Sequence, residues 1–270
     1  MQLTPHQVES YRRDGYLLLP GLFSAAEVET LRGELPRLLG EDTPGRVLEK
    51  QTGMVRSVYA SHTRSEVMAR LARHPRLLGP ARQIVGTDVY VHQFKINAKA
   101  AFGGEVWEWH QDYVFWLMED GMPAPRVTNV MVFLDEVNEF NGPLLLIPGS
   151  HREGVVDSDP RVAAGTGEPA WMANVGAELK YSLSQATVAA LVHRSGIVAP
   201  KGKAGSVLFF DANIFHGSAP NMSPFGRTIV IATYNSVENQ PVPPGEPRPE
   251  FLAARDYAAL VPVDDGALLV

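Results

Sequence analysis

The chain has 270 residues, a formal net charge of −6, 45% apolar and 20% charged residues, and no cysteine. The acidic balance excludes a basic nucleic-acid footprint, and the absence of thiols excludes disulfides and thiolate metal sites. Any metal must therefore be held by histidine and carboxylate.

At this length one large domain is expected, since all-β barrels and sandwiches often run so far unsplit. The N-terminus lacks the basic-then-apolar build of a signal peptide, and no apolar run approaches a membrane span. A soluble cytoplasmic protein, monomer or homodimer, without nucleic-acid or membrane partners, is the expectation.

Thr4, Pro5 and Gln7 predict a helix start with a capping box, and Gly15 its stop. Tyr16 to Leu19 then reads as a short buried strand ended by Pro20-Gly21. Ser24 with Glu27 makes a second capping box, opening a helix to about Leu39 whose Val28, Leu31 and Leu35 recur at helical spacing. Shorter helices are predicted over 64–72 and 75–85, so the part up to about residue 86 is helix-rich.

From about residue 88 the pattern changes to strands: Asp88 to Ala100, Val106 to His110, Arg126 to Val137, Leu144 to Ile147, Ser206 to Phe210 and Arg227 to Asn235. This succession to about residue 236, fronted by helices, predicts a β-sandwich or barrel with helices packed outside. Residues 152–180 read as a long loop, more often a functional lid than filler. The tail over 237–270 begins Pro-rich and should run extended over the surface.

His110 and Asp112 form an H-x-D triplet at a strand end. In an extended chain residues i and i+2 point the same way, so both can face one metal. With a second imidazole they make the facial triad that suits iron(II), leaving positions for a bidentate keto acid and for O2. The alternative is a chance triplet in a loop.

His216 follows an apolar strand and Arg227 opens the next one. If those strands are neighbours, both residues line one pocket, where the guanidinium can hold a carboxylate bidentately and Ser218 can add a hydroxyl. Taken singly, His216 reads as a satisfied core histidine and Arg227 as a surface ion pair. On the strand 91–99, Gln93, Lys95, Asn97 and Lys99 share one face, which turns either to solvent or to a site.

His110-x-Asp112, the run Asn141 to His151, His216-x-Ser218-x-Pro-Asn221 and Arg227 together resemble the phytanoyl-CoA dioxygenase superfamily, over about Leu3 to Leu252. Trp109 to Trp116 and Arg248-Pro-Glu-Phe-Leu252 are most similar to ectoine hydroxylase-like enzymes and related free amino-acid hydroxylases. The resemblance implies a double-stranded β-helix (jelly-roll, cupin-like) core, mainly β with flanking helices. It implies iron(II) on His110, Asp112 and His216, and 2-oxoglutarate and O2 as co-substrates. Gln93, Asn97, Trp107, Ser218 and Arg227 would contact 2-oxoglutarate, with charge added by Lys95 or Lys99.

For the prime substrate the resemblance implies Trp116 as a wall and Arg248 on a carboxylate, the alternative for Arg248 being a solvated charge. Gln111, Val114 and Phe115 depart from the ectoine hydroxylase pattern toward a more apolar guest. The expected activity is hydroxylation of an unactivated C–H bond in a small free amino acid, leucine-like, in bacterial specialised metabolism. Ectoine, a CoA-linked or carrier-bound acyl group, and a non-catalytic β-barrel binder are the alternatives. His151 is read as bonding locally within a structural hairpin over 141–151, not as a fourth ligand.

Overall fold

A computed structural model of the chain describes residues 1–156, 160 and 169–269. Part of the loop read as a lid, 157–159 and 161–168, lies outside the described residues.

The N-terminal helices form where the capping chemistry puts them. Helix α1 (Pro5–Asp14) starts on the Thr4–Gln7 box and ends at Gly15 in the left-handed region. Strand β1 (Tyr16–Leu19) follows, then α2 (Ala25–Gly33) on the Ser24–Glu27 box and α3 (Leu35–Gly40). The single helix expected to Leu39 is thus split at Glu34. Pro36 has no amide hydrogen for the carbonyl one turn back, so the ladder is interrupted there.

Two strands that the sequence reading missed come next, β2 (Arg46–Leu48) and β3 (Val55–Tyr59), before α4 (Glu66–Ala72) and α5 (Pro75–Val85). The remaining strands are β4 (Val89–Lys99), β5 (Trp107–His110), β6 (Val127–Phe133), β7 (Leu145–Leu146), β8 (Val207–Asp211), β9 (His216–Ser218) and β10 (Arg227–Ser236). Helices α6 (Asp112–Asp120) and α7 (Gln185–Ser195), neither expected from the sequence, lie between them. Helix α6 ends at Gly121, at φ 68°, where any Cβ would overlap the Val242 carbonyl.

Seven strands form one antiparallel sheet in the order β1-β8-β6-β10-β4-β3-β2, and three form another in the order β5-β9-β7. These sheets with flanking helices are the double-stranded β-helix. Alternation along the large sheet sorts its two faces. Phe94, Ile96, Val130, Val132, Val230 and Ala232 pack outward against Val28, Leu31, Leu71 and Leu77 of the helices. Met131, Phe133, Ile229 and Ile231 face the other way, with Leu146 and Ile214.

The same alternation turns Gln93, Lys95 and Asn97 inward, each 7% exposed, so this polar face does not meet solvent. A register shift between Thr233 and Tyr234 skips His92, the extra residue of a bulge in β4.

The 141–151 run is not a hairpin. Its strand β7 pairs with β9, and His151 bonds through Nε2 to the carbonyl of Arg12 on α1, at 3.1 Å. No helix of the described residues is long and apolar enough to cross a membrane.

Candidate active site

The two imidazoles are cross-strand partners. His110 ends β5, His216 begins β9, and the strands pair at that position. Gln111 is still extended, at φ −117° and ψ 134°, so Asp112 swings back to the same side as His110 although it opens α6. One ligand atom from each of His110, Asp112 and His216 lies within 4.8 Å of the others, a group that can hold a metal ion.

Each imidazole gives its Nδ1 hydrogen to a carbonyl two residues back, His110 to Glu108 at 2.6 Å and His216 to Ile214 at 2.9 Å. That fixes the tautomer with Nε2 free to ligate. Nε2 of His110 stands 3.6 Å from Asp112 Oδ1, and that of His216 3.7 Å from Oδ2. Burial, reinforced by His110, pushes His216 down to about 3, which keeps it a neutral donor. For Asp112 burial pushes up, but Lys95 and the two imidazoles outweigh it and hold the carboxyl well below its usual range.

Two small chambers meet at the triad, with Lys95, Trp107, His110 and Asp112 lining both. The inner one, about 30 Å³, is completed by Asn97, Met131, Leu144, Phe210, His216, Ser218, Arg227, Ile229 and Ile231. The strands bearing His216 and Arg227 are not neighbours, so that condition for a common pocket is not met, yet both residues line one chamber. They belong to facing sheets, and β6 lies between β8 and β10. The two side chains line the inner chamber from opposite sheets.

Arg227 is 2% exposed, and among the described residues no acceptor bonds it, its Nε being buried without a partner. Burial pulls its pKa down to about 10, against the distant pull of Asp135. Asn97 Oδ1 is likewise buried and unpartnered. An unpaired buried cation beside orphaned polar atoms is unstable alone and fits an anionic guest. Lys99, by contrast, spends its ammonium on the carbonyls of Glu105 and Ala219 and lines neither chamber.

The outer chamber, about 20 Å³, adds Tyr59, Gln93, Phe115, Trp116, Asn174, Val175 and Arg248 to the shared residues. Gln93 therefore sits apart from Arg227, its amide donating to the Leu252 carbonyl at 2.7 Å. Arg248 is not a solvated charge. It is 8% exposed and grips Asp120 through Nε at 2.8 Å and Nη2 at 2.6 Å. Asp120 also accepts from His92 Nε2 at 3.2 Å, and that ring stands edge-on to Trp116.

Phe115 lines the outer chamber, but Val114 does not; it is buried among Tyr113, Met122 and Leu179. Gln111 points away, clamping the Gly154 and Asn213 carbonyls and the Val156 amide.

The sequence reading missed Tyr59, Asn174, Asp120, and the pair Asn129 and Thr233. Asn129 Nδ2 donates to Asp112 Oδ2 at 2.8 Å, and Thr233 donates to Asn129 Oδ1 at 2.6 Å. A polar residue on the otherwise apolar inward face of β6, with Val127, Met131 and Phe133, was a usable signal.

A double-stranded β-helix with such a constellation between its sheets defines the class of Fe(II)- and 2-oxoglutarate-dependent dioxygenases, which use O2, and this protein is one of them. Residues 11–229 match the family model of phytanoyl-CoA dioxygenase (PhyH), and the chain belongs to that family. It is 41% identical to the L-proline trans-4-hydroxylase of Streptomyces griseoviridis over 254 residues, covering 94% of both chains. It is 40% identical to the ectoine dioxygenase of Bordetella bronchiseptica over 280 residues, covering 97% of this chain and 86% of that one. The crystal structure of EctD from S. alaskensis with 2-oxoglutarate and 5-hydroxyectoine is similar at a TM-score of 0.84 and 38% identity, covering 98% of this chain and 89% of that one.

Proposed function

We propose that His110, Asp112 and His216 hold the iron, that the inner chamber binds 2-oxoglutarate, and that the outer one presents a small free amino acid for hydroxylation. The observation that carries this reading is the buried Arg227 guanidinium, its Nε without a partner among the described residues, in the chamber that the three ligands line. A dicarboxylic keto acid supplies the anion that Arg227 lacks, with Ser218 beside it and Asn97 as a polar neighbour. Iron(II) with 2-oxoglutarate and O2 supplies the oxidising power to hydroxylate an unactivated C–H bond, with succinate and CO2 released.

The chain's own residues orient and enclose. Asn129 and Thr233 fix the Asp112 carboxylate, and the carbonyls of Glu108 and Ile214 fix the imidazoles. A carboxylate at position 112 fills the ligand position that a halide would need, which favours hydroxylation over halogenation. Lys95, common to both chambers, places a cation next to Asp112. Tyr59, Phe115, Trp107 and Trp116 wall the outer chamber and exclude water. Arg248, steadied by Asp120, offers its remaining nitrogen, Nη1, to a substrate carboxylate.

The substrate we propose has an aliphatic skeleton. Of the residues behind the leucine-like expectation, Phe115 alone lines the outer chamber. A saturated ring meets that wall as well as an open chain does. L-proline, the amino acid of the Streptomyces griseoviridis relative, is therefore as good a candidate as leucine. Ectoine is the second reading, supported by the ectoine dioxygenases among the relatives.

The test is mass spectrometry of L-proline, L-leucine, other free amino acids and ectoine after incubation with enzyme, Fe(II), 2-oxoglutarate and O2. One added oxygen atom on a free amino acid, with one succinate formed, is the expected result. Oxygenation of ectoine alone would replace the substrate reading. No product from any of them would favour a carrier-bound or CoA-linked acyl group, and loss of succinate formation as well would favour a binding protein.

A further inference from the structure

Arg56, in β3, is 1% exposed and touches neither chamber, yet its guanidinium holds a part of each. Nε donates to the Val175 carbonyl at 3.1 Å. Nη2 donates to the carbonyls of Val106 at 2.9 Å and Gly176 at 3.1 Å. Nη1 faces the Glu49 carboxylate at 3.2 Å, and Cζ lies 3.7 Å from the centroid of the Trp107 ring. Trp107 lines both chambers, and Val175 only the outer one.

Burying this ion is costly: desolvation pulls its pKa down, and Glu49 only partly opposes that. An apolar side chain would fill the same space at less expense. What an apolar side chain could not do is fix three separate segments at set angles. A planar fork with a stacking face does that, and lysine, a point charge, does not.

We propose that Arg56 is a positioning residue that locks the shared wall Trp107 to the 174–176 segment. The outer chamber then keeps its shape against an assembled inner chamber, and 2-oxoglutarate consumption stays tied to hydroxylation. Without the lock, Trp107 can turn and residues 174–176 can lift, so substrate is misplaced while 2-oxoglutarate still binds. Turnover then runs uncoupled: 2-oxoglutarate and O2 give succinate and CO2. The second oxygen atom leaves as water, with two electrons and two protons from an added reductant such as ascorbate. The inference rests on the proposed assignment of the two chambers, not on which amino acid is the substrate.

The experiment compares wild type with Arg56→Lys and Glu49→Gln in the iron-loaded enzyme, with ascorbate present. It reads succinate per hydroxylated product, KM for each substrate, and Tm. Arg56→Lys is expected to raise the succinate-to-product ratio at least about threefold and to raise KM for the amino acid more than KM for 2-oxoglutarate. Glu49→Gln keeps the stacking and the carbonyl bonds, so a smaller rise in the same ratio is expected; it carries the test if Arg56→Lys does not fold.

A ratio unchanged from wild type, with any loss confined to Tm, overturns the proposal and leaves Arg56 a structural residue. Calorimetric titration of 2-oxoglutarate into the Mn(II)-loaded wild type separates the two readings. No binding there overturns the chamber assignment itself, whereas binding with an unchanged ratio overturns only the role of Arg56.

Discussion

Asn129 donates to Asp112 across the gap between the sheets, from the middle of β6 to the first residue of α6, at 2.8 Å. Asn129 is itself held by Thr233 on β10, its register partner, so the carboxylate is aimed by two rigid strands. Such outer partners orient a metal ligand by removing its rotational freedom. Asn129→Ala is expected to weaken iron binding or activity about 10–100-fold, and Thr233→Val, which leaves the amide in place, by less. The iron dependence of the initial rate measures both, and a wild-type iron requirement in Asn129→Ala would show the bond to be dispensable.

Arg227 pits binding against stability. With no anion at hand, its buried charge is a cost to the unliganded protein. Arg227→Met is expected to raise KM for 2-oxoglutarate on the order of 100-fold, the scale of a lost buried charge partner. The same change should leave the Tm of the ligand-free protein equal or higher, by roughly 2–4 °C for each kcal/mol relieved. A fall in Tm together with an unchanged KM would mean that Arg227 is a structural cation.

The pair Asp120–Arg248 has the opposite sign. Both side chains are buried, at 2% and 6% exposure, and two hydrogen bonds join them. Asp120→Asn strands the guanidinium and is expected to destabilise the fold by about 3–5 kcal/mol. The double variant with Arg248→Met should recover part of that loss, because neither charge remains. Thermal unfolding of the two singles and the double tests this, and strict additivity would rule out the coupling.

Acid should weaken the fold through buried neutral histidines. Burial, helped by Arg64, pushes His62 down to about 4, and burial likewise lowers His92 and His74. Unfolding lets these rings bind protons, so their stabilisation is complete above about pH 6.5 and is lost as pH falls toward the folded values. Tm should therefore decline from about pH 7 to about pH 5, and His62→Gln should flatten the slope. An unchanged slope in that variant would remove His62 from the account.

What the chain spells out locally, it spells legibly. The capping boxes at Thr4 and Ser24 and the stop at Gly15 require only neighbours within a few residues, so their helices could be read directly. The period-two pattern in β4 separated polar from apolar residues, although the pattern alone left open whether the polar face met solvent or a site. The strands β2 and β3 escaped notice because they are short and carry Arg46 and Arg56 amid their apolar residues. Their burial comes from the sheet edge they join, which no local pattern encodes.

The site divides in the same way. His110, Asp112, His216 and Arg227 are set apart by residue type and by their positions at strand ends, so residue type and spacing alone marked them out as the candidate metal ligands and the candidate anion-binding group. How they meet comes from the folding of distant segments: His110 and His216 are cross-strand partners on β5 and β9, and Arg227 faces them from the other sheet. The tertiary structure also decided which side chains are already spoken for: Gln93 by Leu252, Gln111 by the 154–156 segment, and Arg248 by Asp120. A side chain's chemistry belongs to its residue, whereas its partners and its desolvation come from distant segments, the carbonyl that holds Gln93 lying 159 residues away.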